Sequence, residues 1–151
     1  MDPLLKKLNV TDPVVRVFDA PNSFRDHVMA VDGVVLDETR AGIESAGWVL
    51  GFAQTQEQVD AFAESVASLT AGDAIVWIAY PKASSKRYRC EFNRDTGWFS
   101  MGAAGFEPVR QVAIDEDWSA LRFRRIEFIK NLTRRFTAAS EEGRRRQRGD
   151  A

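Results

Sequence analysis

The sequence predicts an α/β protein: a three-layer open sheet, mostly parallel, with a C-terminal antiparallel hairpin and a closing helix. Three observations carry this. Apolar runs rich in β-branched residues alternate with stretches of helical periodicity along the chain. The run Ala74-Ile75-Val76-Trp77-Ile78-Ala79-Tyr80 is apolar without polar alternation, as a central parallel strand covered on both faces should be. Trp118 to Arg125 does alternate, as an antiparallel strand with one half-buried face should.

Leu4, Leu5 and Leu8 have helical spacing, so Pro3 to Leu8 reads as a short leading helix that stops before Thr11-Asp12-Pro13. Val14-Val15-Arg16-Val17-Phe18 is a mostly buried strand, and Asp19-Ala20-Pro21-Asn22 is its exit turn. Asn22 or Ser23 caps a helix that turns Phe24, Val28 and Val31 inward until Gly33 stops it. Val34-Val35-Leu36 is a second strand and Trp48 to Ala53 a third, separated by the polar stretch Asp37 to Gly47. Thr55 and Gln58 have capping-box spacing, and Val59, Phe62, Ala63, Val66 and Leu69 fall on one stripe before Gly72.

Pro81 ends the central strand. After a basic loop, a helix is expected from Asp95 to Ala104 with Trp98 and Met101 inward, closed by Gly105 ahead of a strand from Pro108 to Ile114. Asp115-Glu116-Asp117 turns the chain into the last strand, where Leu121 and Phe123 oppose Arg122 and Arg124. Ile126, Ile129, Leu132, Thr133 and Phe136 then have a helical period, giving a closing helix able to pack on the sheet or to join two copies of the chain. One domain over residues 1–139 is expected. Residues 140–151, with Arg144-Arg145-Arg146 and Arg148, have nothing to bury and read as a disordered basic tail.

A chain of 151 residues with 44% hydrophobic content buries roughly 70% of its extended surface, enough for one ordinary core. The lone cysteine, Cys90, rules out an intrachain disulfide. Met1 to Val10 is too polar for a signal peptide, and no apolar run is long enough to span a bilayer, so a cytoplasmic setting without membrane contact is expected. The net charge of -1 hides an asymmetry: residues 1–81 hold 5 basic and 12 acidic side chains, whereas residues 82–151 hold 16 and 10. Such a split marks a candidate anion-binding face.

The element order, β-α-β-β-α-β-α-β-β, resembles a trimmed Rossmann-like fold. A helix and a final hairpin after the central strand resemble the last third of S-adenosylmethionine-dependent methyltransferases, in which the hairpin inserts one strand beside the centre. Residue runs carry a second resemblance. Ala79-Tyr80-Pro81-Lys82, Ser84-Ser85-Lys86, Asn93-Arg94-Asp95-Thr96-Gly97-Trp98 and Gly105-Phe106-Glu107-Pro108-Val109 are similar to a family of small bacterial proteins known as a domain of unknown function. Val112-Ala113-Ile114-Asp115 and Trp118 to Arg124 extend the likeness, so that it covers residues 74–124. Lys7-Leu8 and Phe18-Asp19-Ala20-Pro21 match more loosely. The resemblance implies a fold and a bacterial cytoplasmic setting, but neither an activity nor a catalytic residue.

In open α/β sheets, ligands gather beyond the carboxyl ends of the parallel strands. Asp19 to Ser23, Gln54 to Gln56 and the loop from Lys82 to Arg94 are expected to meet there. That loop holds Lys82, Lys86, Arg87, Arg89 and Arg94 against Glu91 alone, with Ser84, Ser85 and Tyr88 as hydroxyl donors. Asn22, Ser23, Lys82, Ser84, Ser85, Lys86, Arg87 and Arg94 therefore form the candidate ligand site, suited to phosphate or carboxylate and reinforced by a helix amino terminus at Asp95. The bland alternative is a solvated loop.

Other candidates have structural readings beside them. Arg94 with Asp95 is a catalytic pair or, more simply, an arginine beside a helix cap. Trp118 and Arg122 share a strand face and either stack on a planar ligand or pack at an edge. His27, the lone histidine, stands four residues after Ser23; neither a multi-histidine metal site nor a supported Ser-His-Asp set can be assembled around it. Cys90 follows several cations and is either a reactive or an ordinary thiol.

Three functions fit. The favoured one is a binding or regulatory domain that accepts an anionic small molecule at the sheet's carboxyl edge. The second is a degenerate methyltransferase-like enzyme, opposed by Asp19-Ala20-Pro21-Asn22 standing where a glycine-rich turn is usual. The third is nucleic-acid association through the basic loop and tail. No catalytic set or cofactor is named by these residues.

Overall fold

In the computed structural model, which describes residues 2–39, 46–93 and 95–129, six strands form one sheet. They are β1 (Val14–Phe18), β2 (Val35–Asp37), β3 (Ala46–Phe52), β4 (Thr70–Pro81), β5 (Phe106–Ala113) and β6 (Trp118–Arg125), in spatial order β2-β1-β3-β4-β6-β5. The first four are mutually parallel, and β6 runs antiparallel to both β4 and β5. The sheet is open and mixed. The hairpin inserts its second strand beside β4 and leaves β5 at the edge, where the register slip after Pro108 is tolerated because a proline cannot donate to a ladder.

Helices cover both faces. Helices α1 (Pro3–Lys7) and α2 (Asn22–Met29) send Leu5, Leu8, Phe24 and Val28 onto Val15, Val17, Trp48, Leu50 and Trp77. Helices α3 (Gln56–Leu69) and α4 (Phe99–Ala103) pack Val59, Phe62, Val66 and Met101 against Val76, Ile78, Leu121 and Phe123. Alternate residues of β4 thus feed opposite cores, which is why the Ala74 to Tyr80 run lacks polar alternation. Each fully buried Leu, Ile or Val contributes on the order of 2 kcal/mol by leaving water.

The local signals of α3 operate as the sequence predicts. Thr55 Oγ1 accepts from the Gln58 amide, and Gln58 Oε1 accepts in return from the Thr55 amide, completing a capping box. At the far end the chain passes directly from Leu69 into β4, four residues earlier than expected. Gly72 takes φ +60 there, and the Arg125 guanidinium donates to the Gly72 and Thr70 carbonyl oxygens at 2.8 and 3.0 Å.

Two expectations are corrected. The helix expected from Asp95 begins only at Phe99, because Gly97 sits at φ +88 and Asp95 donates its amide to Asn93 Oδ1 in a local turn. A closing helix does not start at Ile126: Ile126–Phe128 is a single 3-10 turn, and Ile129 returns to extended backbone. Ile126 instead donates its amide to the Gly105 carbonyl oxygen. Leu132, Thr133, Phe136 and the arginine tail lie outside the described residues.

Candidate functional site

Because β1, β3 and β4 are parallel, Phe18, Phe52 and Pro81 reach the same edge of the sheet. The segments that follow them, 19–23, 53–56 and 82–93, form its rim. A fourth segment joins them. Strand β6 is antiparallel to β4 and pairs Trp118 with Pro81, so the hairpin turn Asp115–Asp117 also rises there. The sequence reading placed no ligand-facing residue in that turn, although its acidity and the predicted hairpin were the available signals.

Two cavities meet at the end of β1. The first, of about 590 Å³, has Phe18, Phe52, Phe62 and Ile78 as its apolar lining and Gln54, Glu57 and Gln58 among its polar lining. Gly51 belongs to its floor. A Cβ at that glycine would stand 2.6 Å from the Phe62 ring, so α3 approaches β3 closely only because the side chain is missing. The second, also about 590 Å³, is lined by Asn22, Ser23, Arg87, Tyr88 and Trp118 together with Asp19, Asp115, Glu116 and Asp117. Asp19 and Gln54 border both cavities. Asp19 holds φ 59, a left-handed conformation that a non-glycine residue rarely adopts.

The expected basic rim is divided. Asn22, Ser23 and Arg87 line the acidic cavity, whose lining holds four acidic residues and one arginine. Lys82, Ser85 and Lys86 line another cavity on the far side of Tyr88, with Arg89, Cys90 and Phe92. Ser84 lines neither of them, and Arg94 lies outside the described residues. The division arises at Tyr88, whose ring packs on Trp118 at 4.8 Å between centroids and forms a wall common to both cavities. The loop is fastened to the rim: Lys82 donates its amide to the Asp117 carbonyl oxygen, Ser85 Oγ donates to Asp117 Oδ1 at 2.8 Å, and Glu91 donates its amide to the Gln54 carbonyl oxygen.

The remaining candidates take structural roles. Trp118 is 2% exposed and packs against Phe52 as well as Tyr88, so it is core and offers no stacking face to a ligand. Arg122 is half-buried, its Nε has no partner among the described residues, and burial pushes its guanidinium pKa down. His27 does not pair with Ser23; its Nε2 lies 3.0 Å from both Asp2 oxygens, and this contact holds the Asp2 carboxyl below its ordinary value. Burial pushes the Cys90 thiol up, opposite to an activated thiolate. Among the described residues, no three His, Cys, Asp or Glu side chains are grouped to hold a metal ion, and no helix is long and apolar enough to cross a membrane.

The six-stranded open sheet, in the order β2-β1-β3-β4-β6-β5, superposes on similar solved structures. A SAM-dependent methyltransferase from Aquifex aeolicus superposes with a TM-score of 0.54 at 13% identity, covering 82% of this chain and 88% of that one. A protein described as a type 11 methyltransferase from Sulfolobus solfataricus superposes at 0.51 and 10% identity, covering 87% and 94%. The fold is Rossmann-like. No protein-family model matches the chain, and no curated protein matches it in sequence, so the likeness seen in residues 74–124 gains no support from those comparisons. At such identities the fold alone is what is shared.

Proposed function

We propose that this chain is a reduced methyltransferase-like protein that binds S-adenosylmethionine, or its demethylated product, along the cleft formed by the two cavities that meet at Asp19. The observation that carries the reading is the Asp19 backbone. In Rossmann-like folds the turn after the first strand is glycine-rich, because the chain must bend sharply and come close to its ligand. Here the sequence lacks the glycine, yet Asp19 holds φ 59 at that turn. A left-handed non-glycine residue costs on the order of 1 kcal/mol or more, and such conformations concentrate at functional sites.

The polarity of the cleft supports the same ligand. S-adenosylmethionine is a planar base at one end and carries a sulfonium and an ammonium at the other. Phe18, Phe52 and Phe62 offer apolar surface to a base, while Asp19, Asp115, Glu116 and Asp117 offer negative charge to the cations. Pro21 removes one amide donor from the turn, but the first-turn amides of Asn22 and Ser23 in α2 are unused by the helix ladder and suit the ligand's carboxylate. When bound, the cofactor supplies an electrophilic methyl group; the chain's own residues bind and orient it.

Calorimetry of the full chain with S-adenosylmethionine and S-adenosylhomocysteine tests this reading. Saturable heat and a raised Tm are expected, with the sulfonium form bound more tightly and that preference reduced in an Asp115→Asn, Glu116→Gln variant. Absence of heat and of any Tm change with both ligands would remove the proposal.

A further inference from the structure

We infer a second site: the cavity between the end of β4 and residues 82–93 binds a phosphate-bearing small molecule through Lys82, Lys86 and Arg89. This cavity, of about 730 Å³, shares only Tyr88 with the acidic one, so the inference does not rest on the cofactor reading. Its lining contains three cations and no carboxylate among the described residues. Lys86 and Arg89 are exposed and Lys82 is half-buried.

The missing counter-charge has a structural cause. Glu91, the one acidic residue in the loop, turns away to accept the Gln56 amide at 2.8 Å, where it caps the amino end of α3. Asp117, the nearest acid of the hairpin turn, is engaged by Ser85 Oγ and borders the other cavity. Glu91 is therefore drawn to α3, while Asp117 stands behind Ser85 and does not enter the lining, so the three cations face the cavity with no carboxylate among the described residues of its wall. Three positive charges exceed what one carboxylate would balance, whereas a phosphate monoester carries about -1.5 to -2 and a diphosphate more. Tyr80 and Phe92, packed on each other, close the inner end of the cavity with apolar surface.

The probe is inorganic pyrophosphate, titrated into the full chain at low ionic strength and followed by calorimetry and amide NMR shifts. Saturable binding is expected, with shifts in residues 82–93 and an affinity that weakens as salt is added. Lys86→Ala with Arg89→Ala should lose about tenfold or more in affinity, since two charge-assisted contacts disappear. The charge-keeping pair Lys86→Arg with Arg89→Lys should retain it, and S-adenosylmethionine binding should stay the same in both variants. Unchanged pyrophosphate affinity in the alanine pair, shifts centred elsewhere, or a short DNA or RNA that binds the loop while pyrophosphate cannot displace it would each overturn the inference.

Discussion

Trp77 Nε1 donates to the carbonyl oxygen of Leu8 at 2.8 Å, across 69 positions of sequence. Trp48 Nε1 donates to the same oxygen at 2.7 Å. Both indoles and the carbonyl are buried, so the end of α1 is fastened to the two central strands by one shared acceptor. A buried carbonyl without a partner costs about 1–3 kcal/mol, more than the net gain of an ordinary hydrogen bond. Trp48→Phe and Trp77→Phe should each leave the oxygen with one donor, and the double variant should leave it with none. Urea denaturation is expected to show a double-variant loss exceeding the sum of the single losses by about 1 kcal/mol. Simple additivity would mean that the shared acceptor does not couple them.

Gly51→Ala places a methyl group against the Phe62 ring, on the floor of the apolar cavity. Overpacking of this kind costs about 1–3 kcal/mol. Adding Phe62→Leu should recover part of that loss, because Cε1 and the rest of the rigid ring are then absent and the smaller, more flexible side chain can turn away from the added methyl. A Gly51→Ala variant as stable as the parent protein would show that the ring moves aside freely.

Asp73 and Arg124 form a bidentate pair, with nitrogen to oxygen distances of 2.7 and 2.6 Å. The hydrogen bond from Arg124 holds the Asp73 carboxyl below its ordinary 3.8, against the opposing effect of burial. A depressed native pKa means stability that is present above the unfolded value and lost as pH falls through the native one. Both side chains are 36% exposed, so Asp73→Asn should cost less than about 1 kcal/mol at pH 7. That difference should close as the medium is acidified below 3.8. A gap that persists unchanged into strong acid would contradict the assignment.

Cys90 should alkylate slowly. Its thiol is raised from 9.0 first by burial and further by the neighbouring Glu91. Iodoacetamide labelling, followed by mass spectrometry, is expected to run slower than for free glutathione at neutral pH and to climb as pH passes 9.0. A rate that levels off below pH 8 would indicate a thiolate instead.

Much of the architecture was legible because periodicity reports burial. The unbroken apolar run of β4, the alternation in β6 and the Thr55 and Gln58 cap each reflect a local requirement that a few neighbouring residues satisfy alone. Elements governed by distant contacts were less legible. The Asp95 to Ala104 helix shrank to Phe99–Ala103 because Gly97 packs against Phe92 in a left-handed turn, where a Cβ would come within 2.7 Å. Of the helical period after Ile126, the described residues show a 3-10 turn at Ile126–Phe128 and extended backbone at Ile129, beside the contact of the Ile126 amide with Gly105.

The candidate site shows the same boundary. By itself the sequence determined an alternating α/β order, a central strand and a basic loop delivered to the sheet's carboxyl edge, since hydrophobic period and charge are carried by contiguous residues. Only the tertiary structure decided which charges share a cavity. Strand order brought the Asp115–Asp117 turn to the rim, Tyr88 on Trp118 separated Arg87 from Lys82 and Lys86, and Glu91 was drawn to α3. Electrostatic character depends on distance through space, and that distance is set by packing between segments far apart in the chain.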